Sequence, residues 1–309
     1  MMQPFRLRPW FSPRVWGWDD ISAWYPEYEQ TERIGEAWLT GDESVVASGE
    51  HAGKTLGALV REYPDELSCG EGDFALLLKV LFPLEKLSVQ VHPDDEQARA
   101  KGATRGKTEC WYVLEAEPGA AVSLGLKEGV TVDAVRAGIA DGTMEELVER
   151  VPVSAGDMVF VDAGTVHAIE PGVVILETQE TSDVTYRMFD YGRGRELHVD
   201  DALEVMRLKT AAGKVPPVRH GRALRLIECP IFAVDRFEVD GMMEPRAHLG
   251  VPHCIVGIEG KARVEGEGFA PVEILRGEAT VIPAGVSGYR VVSEGAFVGI
   301  CAAPPARLG

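Results

Sequence analysis

The chain has 309 residues, 45% of them hydrophobic and 26% charged, with a formal net charge of −18. That is enough apolar material for two modest cored domains or one large one, and so acidic a chain is a poor match for nucleic acid or an anionic membrane. The most apolar stretch, residues 74–84, is too short to span a bilayer and carries Lys79.

The first residues lack an apolar core with a small-residue cleavage site, so a cytoplasmic location is expected. Five cysteines, at positions 69, 110, 229, 254 and 301, form no CxxC pair; reduced thiols are expected rather than a cysteine-rich zinc site. Residues 55–63 read as a short helix capped by Thr55. Residues 94–101 read as another, with acids in the first turn and Gly102 at its end. Residues 131–150 read as one or two helices with Asp133 or Thr143 as N-cap, and 199–208 as a further helical region. Between them lie short β-rich runs: Leu87–His92, Cys110–Leu114, Met158–Val161, Val173–Thr178, Phe232–Val239, Cys254–Ile258 and Thr280–Ile282. Many short strands separated by Gly and Pro predict a β-sandwich or barrel.

An internal repeat refines this. Gly156-Asp-Met-Val-Phe-Val-Asp162-Ala-Gly164 aligns with Gly277-Glu-Ala-Thr-Val-Ile-Pro283-Ala-Gly285, a Gly turn, a strand and a second turn at equal spacing. Three residues further on, the first copy has His167 and the second Gly288. The repeat resembles the second motif of the cupin superfamily, although Asp162 stands where that motif usually has Pro. The resemblance implies a mainly β fold of two cupin-type double-stranded β-helix (jelly-roll) barrels with a few short helices. Residues 1–208 would form a catalytic metal-binding domain, 209–224 a polar, Gly/Pro-bearing linker, and 225–309 a second barrel without metal ligands.

Four segments could close one pocket. Gln90 and His92 are two apart in a β-like run and point to one face. Glu109 begins the next run, and His167 follows a Gly turn at a strand start. Together they offer a Gln/His/Glu/His ligand set suited to Zn²⁺, with Fe²⁺, Mn²⁺ and Co²⁺ also acceptable. Singly each has an ordinary structural explanation; Glu109, for instance, could pair with Arg105 or Lys107. The other histidines, His51, His198, His220, His248 and His253, read as structural. An anionic ligand would need a local positive pocket in this acidic chain, and Lys79, Lys107 and Arg187 are the candidates. Arg187 could instead bridge to Asp183 four residues earlier. Lys107, two residues from Glu109, could be a base with its pKa lowered by a metal, or a phosphate clamp.

These segments together resemble the type I phosphomannose isomerases over nearly the whole chain. The resemblance is carried by Leu78–Leu81, Leu87-Ser-Val-Gln-Val-His-Pro-Asp94, Gly106-Lys-Thr-Glu-Cys-Trp-Tyr112, Gly164-Thr-Val-His-Ala-Ile169, Leu176-Glu-Thr-Gln179 and Ser182-Asp-Val-Thr-Tyr-Arg187, with Arg14–Gly17 and Ile34–Trp38 at the start. Trp18 departs from the family's usual Gly. The resemblance implies a zinc-dependent aldose–ketose isomerase of the short bacterial form, acting on a small sugar phosphate and compatible with a monomer. Gln90, His92, Glu109 and His167 match its zinc ligands. Ser88, Lys79 and Lys107 match positions that hold phosphate or sugar, and Arg187, Asp183 and Glu177 match positions proposed for substrate binding and proton transfer. The competing readings are an Fe²⁺ cupin dioxygenase, which gives the three cations no task, a non-catalytic sugar-phosphate-binding cupin, and an isomerase of a different sugar.

Overall fold

In the computed structural model, which describes residues 2–68, 72–74, 76–245 and 250–305, the β-rich runs pair into three antiparallel sheets. Cys69 and His248 lie outside the described residues. One large sheet runs from Gly213–Val215 through Met158–Val161, Glu109–Ala116, Val173–Glu180, Leu76–Leu81 and Ile34–Trp38 to Trp10–Trp18. A smaller sheet faces it, in the order Tyr186–Phe189, Val89–Val91, His167–Ile169, Ala121–Leu126, Val148–Pro152. These two sheets form the first barrel.

Leu76–Leu81 and Val173–Glu180 are buried along their whole length, because each face meets a different core. Leu76, Leu78, Val80, Val174 and Leu176 join a cluster shared with Val234, Val256, Val281 and Ile300 of the second barrel. The alternate residues Leu81, Val173 and Ile175 join the interior of the first. Lys79 and Glu177 fall in this inward register, so the lysine that interrupts the apolar run is the residue that faces the barrel interior.

The second barrel is built on Val218–His220, Ala223–Glu228, Ala233–Met243, Arg290–Ala303, His253–Glu259 and Ala279–Ile282. Its strand order repeats that of the first. Ala279–Ile282 lies beside His253–Glu259 as Met158–Val161 lies beside Glu109–Ala116, and each middle strand then pairs with a long return strand. The repeat read in the sequence is the same corner of both barrels. Thr165 N donates to Asp162 O in one turn and Val286 N to Pro283 O in the other, both at 3.1 Å.

The helices follow their caps. Thr55 caps Leu56–Glu62 by accepting from Ala58 N, and Asp94 and Gln97 form a reciprocal capping box at Asp95–Ala100. Over 131–150 the structure corrects the expectation. Thr131, rather than Asp133, caps Val132–Asp141, and Gly142 ends it with a left-handed φ of 75°. Thr143 makes no side-chain cap, Met144–Leu147 is a single tighter turn, and Val148–Pro152 is a strand. The last helical region is Val199–Val205. It packs with Val132–Asp141 on the outer face of the small sheet, where Val135, Ile139, Ala202 and Val205 meet Val89 and Val91.

Two segments cross the boundaries expected at 208 and 225. The linker-like stretch carries Gly213–Val215, which pairs with Met158–Val161, and Val218–His220, which pairs with Ala223–Glu228. At the other end, Phe5–Arg8 pairs with Ala279–Ile282, so the N-terminal strand completes the C-terminal sheet. Among the described residues no helix is long and apolar enough to cross a membrane.

Candidate metal centre

Strand register places the site. Across the large sheet Trp38 lies opposite Lys79, Lys79 opposite Glu177, and Glu177 opposite Trp111. Residues so paired share a face, and the side chains interact. Lys79 Nζ sits 4.4 Å from the Trp38 ring centroid and 3.6 Å from Glu177 Oε1, while Trp111 Nε1 donates to Glu177 Oε2 at 3.3 Å and to Glu109 Oε1 at 3.0 Å. Across the small sheet Arg187 lies opposite Gln90 and Gln90 opposite His167. The two rows face each other across the barrel.

His92, Glu109 and His167 meet between them, buried, with one donor atom of each within 4.8 Å of the others. His92 Nδ1 donates to Val184 O at 2.9 Å and His167 Nδ1 to Thr165 O at 2.8 Å. A carbonyl can only accept, so each ring holds its proton on Nδ1 and presents the Nε2 lone pair to the centre. Burial, together with the Lys107 charge, favours the neutral imidazole in both; His92 is held well below its ordinary pKa and His167 falls to about 4. The Nε2 atoms of His92 and His167 lie 3.7 and 3.5 Å from the Glu109 oxygens.

The donors attract a positive charge. The Lys107 ammonium donates to His92 Nε2 at 3.2 Å and to Glu109 Oε2. Gln90 Nε2 donates to His167 Nε2 at 3.3 Å, and Ser88 Oγ donates to Gln90 Oε1 at 3.1 Å. The two ends of an amide exchange by a half-turn; turned, Gln90 presents Oε1 to the centre and donates to Ser88. Two neutral imidazoles, a carboxylate and an amide oxygen therefore suit a divalent ion of the Zn²⁺ type.

A cavity of about 450 Å³ opens beside this cluster. Its lining carries five cations, Arg14, Lys79, Lys107, Arg187 and Arg195, against four anions, Glu36, Glu109, Glu177 and Asp183. In a chain of net charge −18 this is a local reversal of sign. The open groove on the second barrel, about 860 Å³, has Glu244, Glu265, Glu267 and Arg290 as its charged lining, with Arg290 paired to Glu265. The first cavity suits an anion and the second does not.

Within the cavity Glu177 is 4% exposed, and burial together with the nearby Glu109 charge raises its pKa. Burial alone would lower Lys107, but Glu109 and Glu177 outweigh it and keep the ammonium protonated. The alternative Arg187–Asp183 bridge does not form: Arg187 Nη1 donates to Glu196 O at 2.7 Å, and Asp183 stands 3.8 Å from Lys79 at the mouth. All the residues singled out from the sequence border this one cavity or the buried cluster behind it.

Four neighbours escaped the sequence reading. Arg14 and Glu36 pair at 2.9 Å, with Glu36 held low against its burial by Lys79 and Arg14. Trp111 joins Glu109 to Glu177, and Arg195 lines the mouth. The first three lie inside quoted motifs, where a search for partners of Lys79 and Glu109 could have found them. No sequence signal marks Arg195.

The structural histidines have local partners. His51 packs against Tyr63, His198 Nδ1 accepts from Arg187 N, and His220 Nδ1 accepts from Arg225. His253 Nε2 meets the Tyr289 hydroxyl at 2.8 Å inside the second barrel.

Two antiparallel barrels of this topology, one holding a His/Glu/His cluster under a polar cavity, define a double-barrel cupin protein with a candidate metal site. The family model for "Phosphomannose isomerase type I, catalytic domain" matches residues 5–124. The mannose-6-phosphate isomerase ManA of Bacillus subtilis is 33% identical over 308 residues, covering 94% of this chain and 96% of that protein. The mannose-6-phosphate isomerase of Streptococcus mutans is 30% identical over 305 residues, covering 94% and 95%. The crystal structure of the mannose 6-phosphate isomerase from B. subtilis superposes with a TM-score of 0.87 at 28% identity, covering 97% of this chain and 99% of that one. The chain belongs to the type I phosphomannose isomerase family.

Proposed function

We propose that the chain interconverts D-mannose 6-phosphate and D-fructose 6-phosphate, with Zn²⁺ held by Gln90, His92, Glu109 and His167. The observation that carries this is the Lys79–Glu177–Lys107 group set against the His/Glu/His cluster in one cavity. The ion would polarise the oxygens on C1 and C2 and stabilise negative charge on them.

The chain's own residues supply the rest. Glu177, a buried carboxyl with a raised pKa, takes the C2 proton of the open-chain aldose. The C–H electron pair becomes the C1=C2 bond of a cis-enediolate, and the carbonyl pair passes to the oxygen on C1. The hydroxyl proton then moves from the C2 oxygen to the C1 oxygen, and Glu177 returns its proton to C1 to give the ketose. The Lys107 ammonium lies 3.9 Å from Glu177 and favours charge on the neighbouring oxygens. Lys79 orients Glu177, Ser88 fixes Gln90 and borders the sugar, Asp183 contacts the sugar at the mouth, and Arg187 binds the phosphate. The unpaired thiols of Cys110, Cys229, Cys254 and Cys301 suit the reducing cytoplasm.

The test is a coupled assay of fructose 6-phosphate formation by the purified protein supplied with Zn²⁺. Mannose 6-phosphate should be converted in preference to free mannose. Equal kcat/KM for the two, or no conversion of either, would contradict the proposal.

A further inference from the structure

We propose that Arg195 is a second phosphate ligand beside Arg187, positioned by the buried carboxylate of Asp190. The idea rests on the sugar-phosphate reading above. It says which residues hold the phosphate, and it adds one that neither the motifs nor that reading includes.

The strand carrying Arg187 ends at Phe189, and the chain then turns tightly through Asp190-Tyr-Gly-Arg-Gly-Arg195. Three residues of this turn have positive φ: Tyr191 at 52°, Gly192 at 74° and Gly194 at 77°. For the two glycines this conformation is easy, but for Tyr191 it is strained. The contacts that hold the turn converge on Asp190. This carboxylate, only 4% exposed, accepts from Arg193 Nη2 at 2.9 Å and from Arg195 Nε at 2.8 Å and Arg195 Nη2. The two arginines then part. Arg193 lies over the Tyr191 ring at 5.4 Å, outside the cavity. Arg195 lines the cavity, and its Nη1 has no protein partner among the described residues.

Arg187 borders the same cavity. Its Nη1 donates to Glu196 O, its Nε is buried without a partner, and burial with the nearby Arg195 charge disfavours its ionised form. Three guanidinium groups thus gather around one buried carboxylate and the exposed Glu196. Repulsion between Arg187 and Arg195 is relieved when a dianion lies between them. A phosphate monoester offers three oxygens to the unused N–H groups of both. Arg195 is therefore a binding residue for phosphate, and Asp190 positions it.

The experiment measures kcat and KM for mannose 6-phosphate, and the inhibition constant of inorganic phosphate, on the zinc-loaded protein. Arg195→Ala should raise both KM and the phosphate inhibition constant by about tenfold or more, with kcat changed by less than about threefold. Arg195→Lys keeps a cation on Asp190 but loses the planar fork, and should fall between. Arg193→Ala removes an Asp190 partner that does not reach the cavity, and should leave both constants within about twofold. Unchanged constants in both Arg195 variants, or an equal effect of Arg193→Ala, would overturn the proposal. A wild-type protein that does not turn over mannose 6-phosphate would instead overturn the functional reading beneath it.

Discussion

In the proposed mechanism a carboxyl group buried between two lysines and a tryptophan is the chemical centre. Glu177 has Lys79 at 3.6 Å, Lys107 at 3.9 Å and Trp111 Nε1 at 3.3 Å, yet burial and Glu109 still raise its pKa. Such a group can both take and return a proton. Glu177→Gln keeps the hydrogen bond from Trp111 but cannot carry the proton, so kcat should fall by about 10²-fold or more with bound metal unchanged. Parallel steady-state kinetics and metal analysis check this, and near wild-type kcat would remove Glu177 from the proton path. At this scale the sequence was most informative about the residues that cluster, because His92, Glu109 and His167 sit in short motifs with little local freedom. It was less informative about partners. The Lys79–Glu177 pair depends on a cross-strand register between residues 98 positions apart, which no local spacing reveals.

At the scale of elements, two acids hold the turn that delivers Lys107 and Glu109. Asp95 Oδ1 accepts from Gly106 N at 2.8 Å, and Glu180 Oε2 accepts from Thr108 N at 2.7 Å. The two carboxyls are neighbours, and each shifts the titration of the other. Burial and the Asp95 charge push Glu180 up to about 7, while the Gly106 N–H and Arg99 hold Asp95 low against its own burial. A pKa raised on folding gives stability that is complete below the unfolded value of 4.5 and is lost as pH rises through about 7. Glu180→Gln has a neutral amide at every pH in place of a carboxyl that ionises near pH 7. Its stability relative to wild type should therefore grow by about 1–3 kcal/mol between pH 5 and pH 8.5. Denaturant unfolding at the two pH values measures this; a difference independent of pH, or larger at pH 5, would contradict it. The helices at 55–63 and 94–101 were legible because Thr55 and Asp94 are real caps. The end of the 131–150 segment was not, because Val148–Pro152 becomes a strand only by pairing with Ala121–Leu126.

Over the whole molecule, one barrel carries the candidate metal site and the other shares a core with it. Both were legible from the repeat at Gly156 and Gly277, since a strand between two turns is a local pattern. Their association was not. A core shared by Leu78, Phe82, Leu176, Val256, Val281 and Ile300, and an N-terminal strand completing the C-terminal sheet, arise from long-range pairing. The second barrel has Gly288 at the position of His167 and a His253–Tyr289 hydrogen bond inside it. On the proposed function the described residues hold one metal site, and turnover requires it. The most direct test titrates Zn²⁺ into chelator-stripped protein while following conversion of mannose 6-phosphate and bound metal together. Activity should rise from none and reach its plateau at about one ion per chain. Full turnover by the metal-free protein, or a plateau reached only with a second ion, would contradict it.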